Sequence, residues 1–374
     1  MADRSLETAA SAKRFAHWLS LGGLTASELW RVALGFAVGV SGSLAFLYLR
    51  LPLPWFLGSL TFCLVASVLN APIARPKVLS TSMRAVLGVA IGTAFTPSLL
   101  ANVGGMVGSL SLLLPFMIVI MLVGTVFFER YARFDRPTAF FCAVPGGLTD
   151  MVTMAADAGA DARAVTLIQA TRIVMIVFLL PFWLQWAGGF TIAAALPPGT
   201  RFADLLIVDA LVLVALGWAG WRLAVRLRLA GAPLVGPMIL SGLAHAIGLT
   251  SARVPVEVLI LAQVSLGIVL GIQFRGLTLS EFSRTMIWGI AFSLVLMTAT
   301  AAIALGVSRI TGFDSTSVLL AYAPGGQTEL NLLAYILGLD AAFTALHHLV
   351  RLAVVIFGAQ IVFAANKSWR NGSG

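Results

Sequence analysis

Two stretches, PGGLTDM at 145–151 and PGGQTEL at 324–330, set Pro-Gly-Gly and then one acid, Asp150 or Glu329, inside otherwise apolar segments. Proline lacks an N–H, and glycine loses the most conformational entropy on ordering, so neither continues a helix comfortably. In a bilayer, broken backbone is tolerated only where it is buried in protein or lines a cavity. The meaning of the two stretches therefore depends on whether they lie in a membrane.

Composition answers that. The chain has 374 residues, of which 59% are hydrophobic and 10% charged, and its mean hydropathy is +0.98. A soluble domain is about 25% charged. Apolar runs of roughly 20 residues are long enough to span a bilayer. Only helices satisfy their backbone in runs that long, because barrel strands are short and alternating. The expectation is an all-α polytopic membrane protein. The net charge of +9 collects in loops between apolar runs. It reads as a topology signal and not as a nucleic-acid surface. Cys63 and Cys142 both fall in apolar segments and read as small core residues.

Twelve apolar segments can be marked, at about 30–49, 53–70, 79–99, 106–128, 138–157, 163–187, 205–224, 233–250, 255–275, 284–309, 315–338 and 343–365. They divide six and six around 188–204, where Gly188, Gly189, Pro197, Pro198 and Gly199 break any helix. The expected organisation is an N-terminal cytoplasmic arm (1–29), a first membrane repeat (30–187), a linker (188–204), a second repeat (205–366) and a C-terminal tail (367–374). The arm carries no apolar core followed by a cleavage site, so it does not read as a signal peptide.

The halves repeat. Pro145 and Pro324 are 179 residues apart, and the same offset pairs Asp135 with Asp314, Gly146 with Gly325, Gly147 with Gly326, Thr149 with Thr328, Asp161 with Asp340 and Arg172 with Arg351. Upstream it pairs Gly88 with Gly267 and Gly92 with Gly271. Six full crossings in each half would make the repeats parallel, but Arg222, Arg226, Arg228, Arg275 and Arg284 would then lie outside, against the positive-inside rule. If each PGG element enters the membrane and returns, each repeat has five crossings plus one re-entrant or broken helix. The repeats are then inverted and both termini are cytoplasmic. Discontinuous elements at matching places in two repeats are the best sequence pointer to a transporter binding site.

PGGLTDMVTMAADAGADARAVTLIQATR and PGGQTELNLLAYILGLDAAFTALHHLVR resemble the paired motifs of the AbrB family of bacterial membrane proteins. LPLPWFLGSL (51–60) and GAPLVGPMIL (231–240) fit its early-repeat pattern with a slip of one residue. The resemblance implies a multi-pass protein of the bacterial inner membrane built from a duplicated unit. It brings labels of ammonia monooxygenase and of regulator of gene expression, and transport has also been suggested. A looser likeness, at the level of fold alone, is to elevator-type secondary transporters.

The candidate binding residues are Gly146, Gly147, Thr149 and Asp150 of the first motif, and Gly325, Gly326, Gln327, Thr328, Glu329 and Asn331 of the second. Arg172, Arg351, His347 and His348 lie on the segments that follow. Asp150 and Glu329 read either as helix-terminus stabilisers or as a coupling-ion or proton site. The threonines and amides either contact a solute or cap the hairpin backbone. With Asp161 and Asp340 as N-caps, Arg172 sits about 16 Å along its helix, near mid-bilayer. A buried arginine needs a partner, and Asp150 or Glu329 is the expected one. The arginines are then a structural lock or an anion site. His347 and His348 are packing histidines or proton carriers. Gln327, Asn331, His347 and His348 replace Leu148, Val152, Ile168 and Gln169 of the first copy, so any site is asymmetric.

No His-x-x-x-His, Glu-x-x-His or GxxxxGK[ST] pattern occurs, which argues against metal oxygenase chemistry and against ATP hydrolysis. No cofactor and no nucleic-acid partner is expected. The lipid bilayer and an unnamed small solute are, and a homo-oligomer is left open. The expected activity is secondary transport by alternating access, proton- or ion-coupled where the acids take part. The rival is a membrane sensor that reaches gene expression through a partner protein.

Overall fold

The structure, a computed structural model, describes residues 26–75, 77–95, 97–186, 197–276 and 279–365. The expected N-terminal arm up to residue 25, most of the 188–204 linker and the C-terminal tail lie outside the described residues. The described regular structure is helical, apart from one isolated bridge between Thr200 and Pro255. In the first half the helices are α1 (Ala26–Tyr48), α2 (Ser59–Val68, entered through a π-turn at Pro54–Gly58), α3 (Lys77–Gly92), α4 (Pro97–Phe127, ending in a π-turn at Phe128–Ala132), α5 (Arg136–Ala143), α6 (Leu148–Asp157) and α7 (Ala162–Trp186). In the second half they are α8 (Ile207–Arg226), α9 (Ala232–Ala246), α10 (Val256–Gly271), α11 (Leu279–Thr311), α12 (Ser315–Tyr322), α13 (Gln327–Ile336) and α14 (Ala341–Ala365).

The element order is the same in both halves, and several bounds recur at the sequence offset. Lys77–Gly92 matches Val256–Gly271, Arg136–Ala143 matches Ser315–Tyr322, Leu148–Asp157 matches Gln327–Ile336 and Ala162–Trp186 matches Ala341–Ala365, each pair 179 residues apart. Paired aspartates explain two of the shared starts, those of α5 with α12 and of α7 with α14, because a carboxylate at the N-cap takes amides that have no carbonyl one turn back. Asp161 accepts from the N–H groups of Arg163 (2.9 Å) and Ala164 (3.0 Å), and Asp340 from that of Phe343 (2.8 Å), as their spacing predicts. Asp135 and Asp314 cap α5 and α12 in the same way, accepting from Thr138 N–H (3.3 Å) and Ser317 N–H (2.8 Å).

Seven helices are long and apolar enough to cross a membrane: 27–48, 104–132, 162–186, 207–226, 256–274, 285–311 and 341–359. The helices at 54–68, 79–92 and 232–246 are apolar but shorter. The single segments expected at 138–157 and 315–338 are each two short helices, because the PGG breaks them. Large apolar side chains cover the outward faces of the peripheral helices, among them Leu44 on α1, Val119 and Leu122 on α4, Leu211 and Val214 on α8 and Ile287 on α11. A face of this kind suits lipid, where an apolar side chain loses nothing by exposure.

Among the described residues the helices sort into two bundles. α1, α2, α3, α8, α9 and α10 pack mainly with one another, and α4–α7 pack mainly with α11–α14. The bundles meet chiefly where α3 touches α13 and α14 and where α4 touches α9. The first bundle is closed by glycine contacts that let backbones approach. Gly42 lies against Gly58 and, equivalently, Gly220 against Gly236. Gly88 and Gly92 of α3 lie on α9, and their counterparts Gly267 and Gly271 of α10 lie on α2. Each repeat thus lends its third helix to the second helix of the other.

A Cβ at Gly92 would sit 2.6 Å from Ser241 Cβ and 2.8 Å from Met238 O, and one at Gly271 would sit 2.7 Å from Leu60 O. Backbone cannot yield as a side chain can. Gly92→Ala and Gly271→Ala are therefore each expected to destabilise by about 1–3 kcal/mol, whereas Gly358→Ala, with open space around it, is expected to be neutral. Thermal melting of the purified variants in one detergent measures the difference.

Candidate functional site

Both PGG motifs break a helix in the interior. Val144 (φ −64°, ψ 121°) ends α5 and Gly147 (φ −64°, ψ 131°) starts α6, while Ala323 (φ −58°, ψ 126°) and Gly326 (φ −68°, ψ 131°) do the same between α12 and α13. An extended turn between two helix ends leaves carbonyls unpaired at the end of one and N–H groups unpaired at the start of the other. In a low-dielectric interior each such group needs a partner.

The following long helix supplies the partners for the carbonyls. Gln169 Nε2 donates to Phe141 O (2.8 Å) and Val144 O (2.9 Å), and Arg172 donates to Val144 O (3.3 Å) and to Gln169 Oε1. In the second half His348 Nε2 donates to Leu320 O (3.1 Å), and Arg351 donates to Ala323 O and to Gly325 O (3.1 Å). Arg172, Gln169, His348 and Arg351 are all buried. The arginines thus sit at the negative ends of α5 and α12, where a cation is favoured.

This corrects one expectation in part. The arginines were expected to pair with Asp150 or Glu329, and among the described residues neither is ion-paired with Glu329, whereas Arg136 lies 3.6 Å from Glu129. The Glu329 carboxylate is turned back over Gly326 onto its own backbone N–H. The acid lies in the first turn of the helix after the break, and the arginine serves the last turn of the helix before it. The side chains of Thr149 and Asp150 lie outside the described part of the structure.

The structure also separates two neighbouring histidines. His348 reaches the hairpin. His347 faces α4, where Nδ1 donates to Phe343 O (2.8 Å) and Nε2 meets Ser109 Oγ (2.8 Å). Its ring lies 4.0 Å from that of Phe343. It joins α4 to α14 beside Tyr322, whose hydroxyl donates to Ser109 O.

The two motifs are brought together through α7. Ile176 of α7 lies against Gly325 and Ile173 against Gly326, while Arg172 on the same helix serves the first motif. On its far side α13 faces the other bundle. Gln327 Oε1 approaches Gly231 at the start of α9, and Tyr335 donates to Pro198 O (2.7 Å). Several buried polar atoms there have no protein partner: Gln327 Nε2, both side-chain atoms of Asn331, and His348 Nδ1. Arg172 Nε and Thr171 Oγ1 are in the same state on α7. Among the described residues no three His, Cys, Asp or Glu side chains converge to hold a metal ion. A separate cavity of about 390 Å³ lies between α3 and α8 and is lined by apolar side chains such as Val86, Leu213, Trp218 and Val258, so it lacks the chemistry found at the motifs.

The sequence reading passed over Gln169, Tyr335 and the capping roles of Asp135 and Asp314. Gln169 was detectable, since it stands 179 residues before His348 and three before Arg172. Tyr335 carries no such signal, because its partner lies in the linker.

Comparison with known sequences places the chain in a family. The family described as "Transition state regulatory protein AbrB" matches residues 55–366. The chain belongs to the AbrB family. It is similar to "Uncharacterized protein YhjN" of Bacillus subtilis (strain 168), at 25% identity over 353 residues, covering 88% of this chain and 90% of the relative. It is similar also to "Putative regulator AbrB" of Escherichia coli (strain K12), at 24% identity over 293 residues, covering 78% and 84%.

Arg351→Leu leaves the carbonyls of Ala323 and Gly325 without donors. A buried orphan costs about 1–3 kcal/mol, so this AbrB-family protein is expected to lose about 2–5 kcal/mol. Glu329→Gln keeps an acceptor for the backbone N–H and should cost no more than about 1 kcal/mol, the size of a charge–dipole contribution. Denaturation of both variants tests the order. An equal loss would restore the carboxylate as the partner of the arginine.

Proposed function

We propose that this AbrB-family membrane protein is a secondary transporter of a small solute, with the solute bound at the second PGG hairpin between the two helix bundles. The observation that carries the reading is Asn331, which is fully buried with both polar atoms unpartnered, one helical turn beyond Gln327, whose Nε2 is likewise unpartnered. Buried polar groups are almost always satisfied. Groups left open side by side at a helix break are what a solute would complete.

Several contacts support two inverted repeats with re-entrant hairpins. Asp161 N–H donates to Thr138 Oγ1 (2.9 Å), so α7 begins beside the start of α5. Further along, Gln169 and Arg172 reach the end of α5, so α5 and α7 run in the same direction and α6 returns between them. α3 runs parallel to α9, since Gly88 meets Leu234 and Gly92 meets Met238 and Ser241. α10 runs parallel to α2, since Gly267 meets Phe56 and Gly271 meets Leu64. With α2 and α3 crossing in succession, α3 and α10 oppose one another, which is the relation inversion requires. Ten crossings with two hairpins, termini in the cytoplasm and residence in the bacterial inner membrane follow from that arrangement and the basic loops.

The division into bundles supports alternating access. The hairpins are tied to α7 and α14 by buried hydrogen bonds, whereas contact with the other bundle is slight. The hairpin bundle then slides against α3 and α9 as a unit, the motion that elevator-type transporters use. A regulatory role, as in the printed name of the E. coli relative, would need the same site to bind without exchanging sides. We infer no enzymatic activity.

Thr328→Cys lies next to Gln327 at the hairpin tip, and the native Cys63 and Cys142 are buried. Labelling with a membrane-impermeant maleimide should succeed from both faces of oriented vesicles, with the balance shifting when solute is added. Labelling from a single face under every condition would count against transport and favour the sensor.

A further inference from the structure

Building on the transport reading, we propose that the site at Gln327 and Asn331 takes a small organic carboxylate that also carries a neighbouring hydrogen-bond donor. The open groups fit that chemistry. Gln327 Nε2 and Asn331 Nδ2 are donors without acceptors, and Asn331 Oδ1 is an acceptor without a donor. Gln327 and Asn331 are four apart and share a face of α13. The helix start beside them is met by the Glu329 carboxylate, which folds back over Gly326 onto its own N–H and leaves the two amides to the solute. Two amide donors face a carboxylate, and the single amide oxygen one turn deeper accepts from a hydroxyl or ammonium beside it.

Charge points the same way. At broken helices in transporters the unwound carbonyls commonly coordinate a metal cation. Here the carbonyls of Leu320, Ala323 and Gly325 are held by His348 and Arg351, and those of Phe141 and Val144 by Gln169 and Arg172. A fixed guanidinium stands where such a cation would bind. Arg172 and Arg351 lie within electrostatic range of one another, and among the described residues neither has a carboxylate at salt-bridge distance. The two guanidiniums favour a solute that carries negative charge. Glu329 does not occupy the same place, because it stands two residues after Gln327, about 200° around the helix, and folds back over Gly326. Nor does the first copy offer the site, since Leu148 and Val152 stand at the matching positions.

That substitution pattern supplies the test. Gln327→Leu with Asn331→Val gives the second hairpin the side chains the first already carries, so it should fold. Melting temperatures of the full-length protein in detergent would be measured with lactate, alanine, propionate, lactamide and ethanolamine at equal ionic strength. The expected result is a saturable upward shift with lactate or alanine, a smaller one with propionate and none with lactamide or ethanolamine, all abolished in the double variant. Asn331→Asp, which keeps the shape and adds a negative charge, should abolish the lactate and alanine shifts by itself. A shift with lactamide or ethanolamine that the double variant abolishes would overturn the carboxylate while leaving the transport site in place. Propionate equal to lactate and alanine would overturn the role given to Asn331 Oδ1. Shifts that no variant changes, or no shift with any probe, would overturn both the inference and the site it rests on.

Discussion

Five main-chain carbonyls at the ends of two broken helices set the terms for the rest of this structure. α5 and α12 stop in the interior, and the oxygens of Phe141, Val144, Leu320, Ala323 and Gly325 face away from water. Leaving one such group unpaired costs about as much as a lost hydrogen bond. Gln169, Arg172, His348 and Arg351 meet the demand from α7 and α14. Arginine suits the place because its planar fork offers several donors and keeps its charge, and the end of a helix offers negative potential. The arrangement also fixes which parts move together. A hairpin whose tip is bonded to the long helix beside it cannot shift without that helix.

The other bundle is held by different means. Its cohesion comes from glycines that bring backbones together, Gly42 with Gly58, Gly220 with Gly236, and the pairs on α3 and α10 with their partner helices. Neither mechanism operates strongly between the bundles. α3 is the element that touches both, being locked by Gly88 and Gly92 on one side and bordering α13 and α14 on the other. Rigid units with a slight interface can slide, and the polar groups of α13 lie at that interface.

Much of this could be read from the sequence, because the deciding features are local or repeated. A single proline such as Pro115 or Pro181 is carried inside a long helix, but proline followed by two glycines is not, so the two PGG stretches mark the two breaks. The offset of 179 carried over to helix bounds because capping aspartates recur with it. What stayed hidden is what depends on direction around a helix. Spacing placed Arg172 and Arg351 at membrane depth but could not say that they reach the carbonyls that end α5 and α12. His347 and His348 are neighbours in sequence but project about 100° apart, so one joins α4 and the other the hairpin. The segment marked at 106–128 became a helix beginning at Pro97, running through Gly104 and Gly105 without a break.

The two copies divide labour in a way that symmetry makes visible. What they share satisfies the backbone: capping aspartates at the helices before and after each hairpin's return, glycines at each break, and an arginine on each helix that follows. What they do not share, Gln327 for Leu148 and Asn331 for Val152, has no such duty, and Asn331 is left with both of its buried polar atoms without partners. A residue kept for the fold would be expected to serve both copies, because both have the same fold to maintain. Polar atoms that carry a desolvation cost in one copy, where the other does without them, are better explained by a solute than by the scaffold. On the transport reading, the hairpin of the first copy is the structural counterpart, and the asymmetry points to the second hairpin as the one that binds.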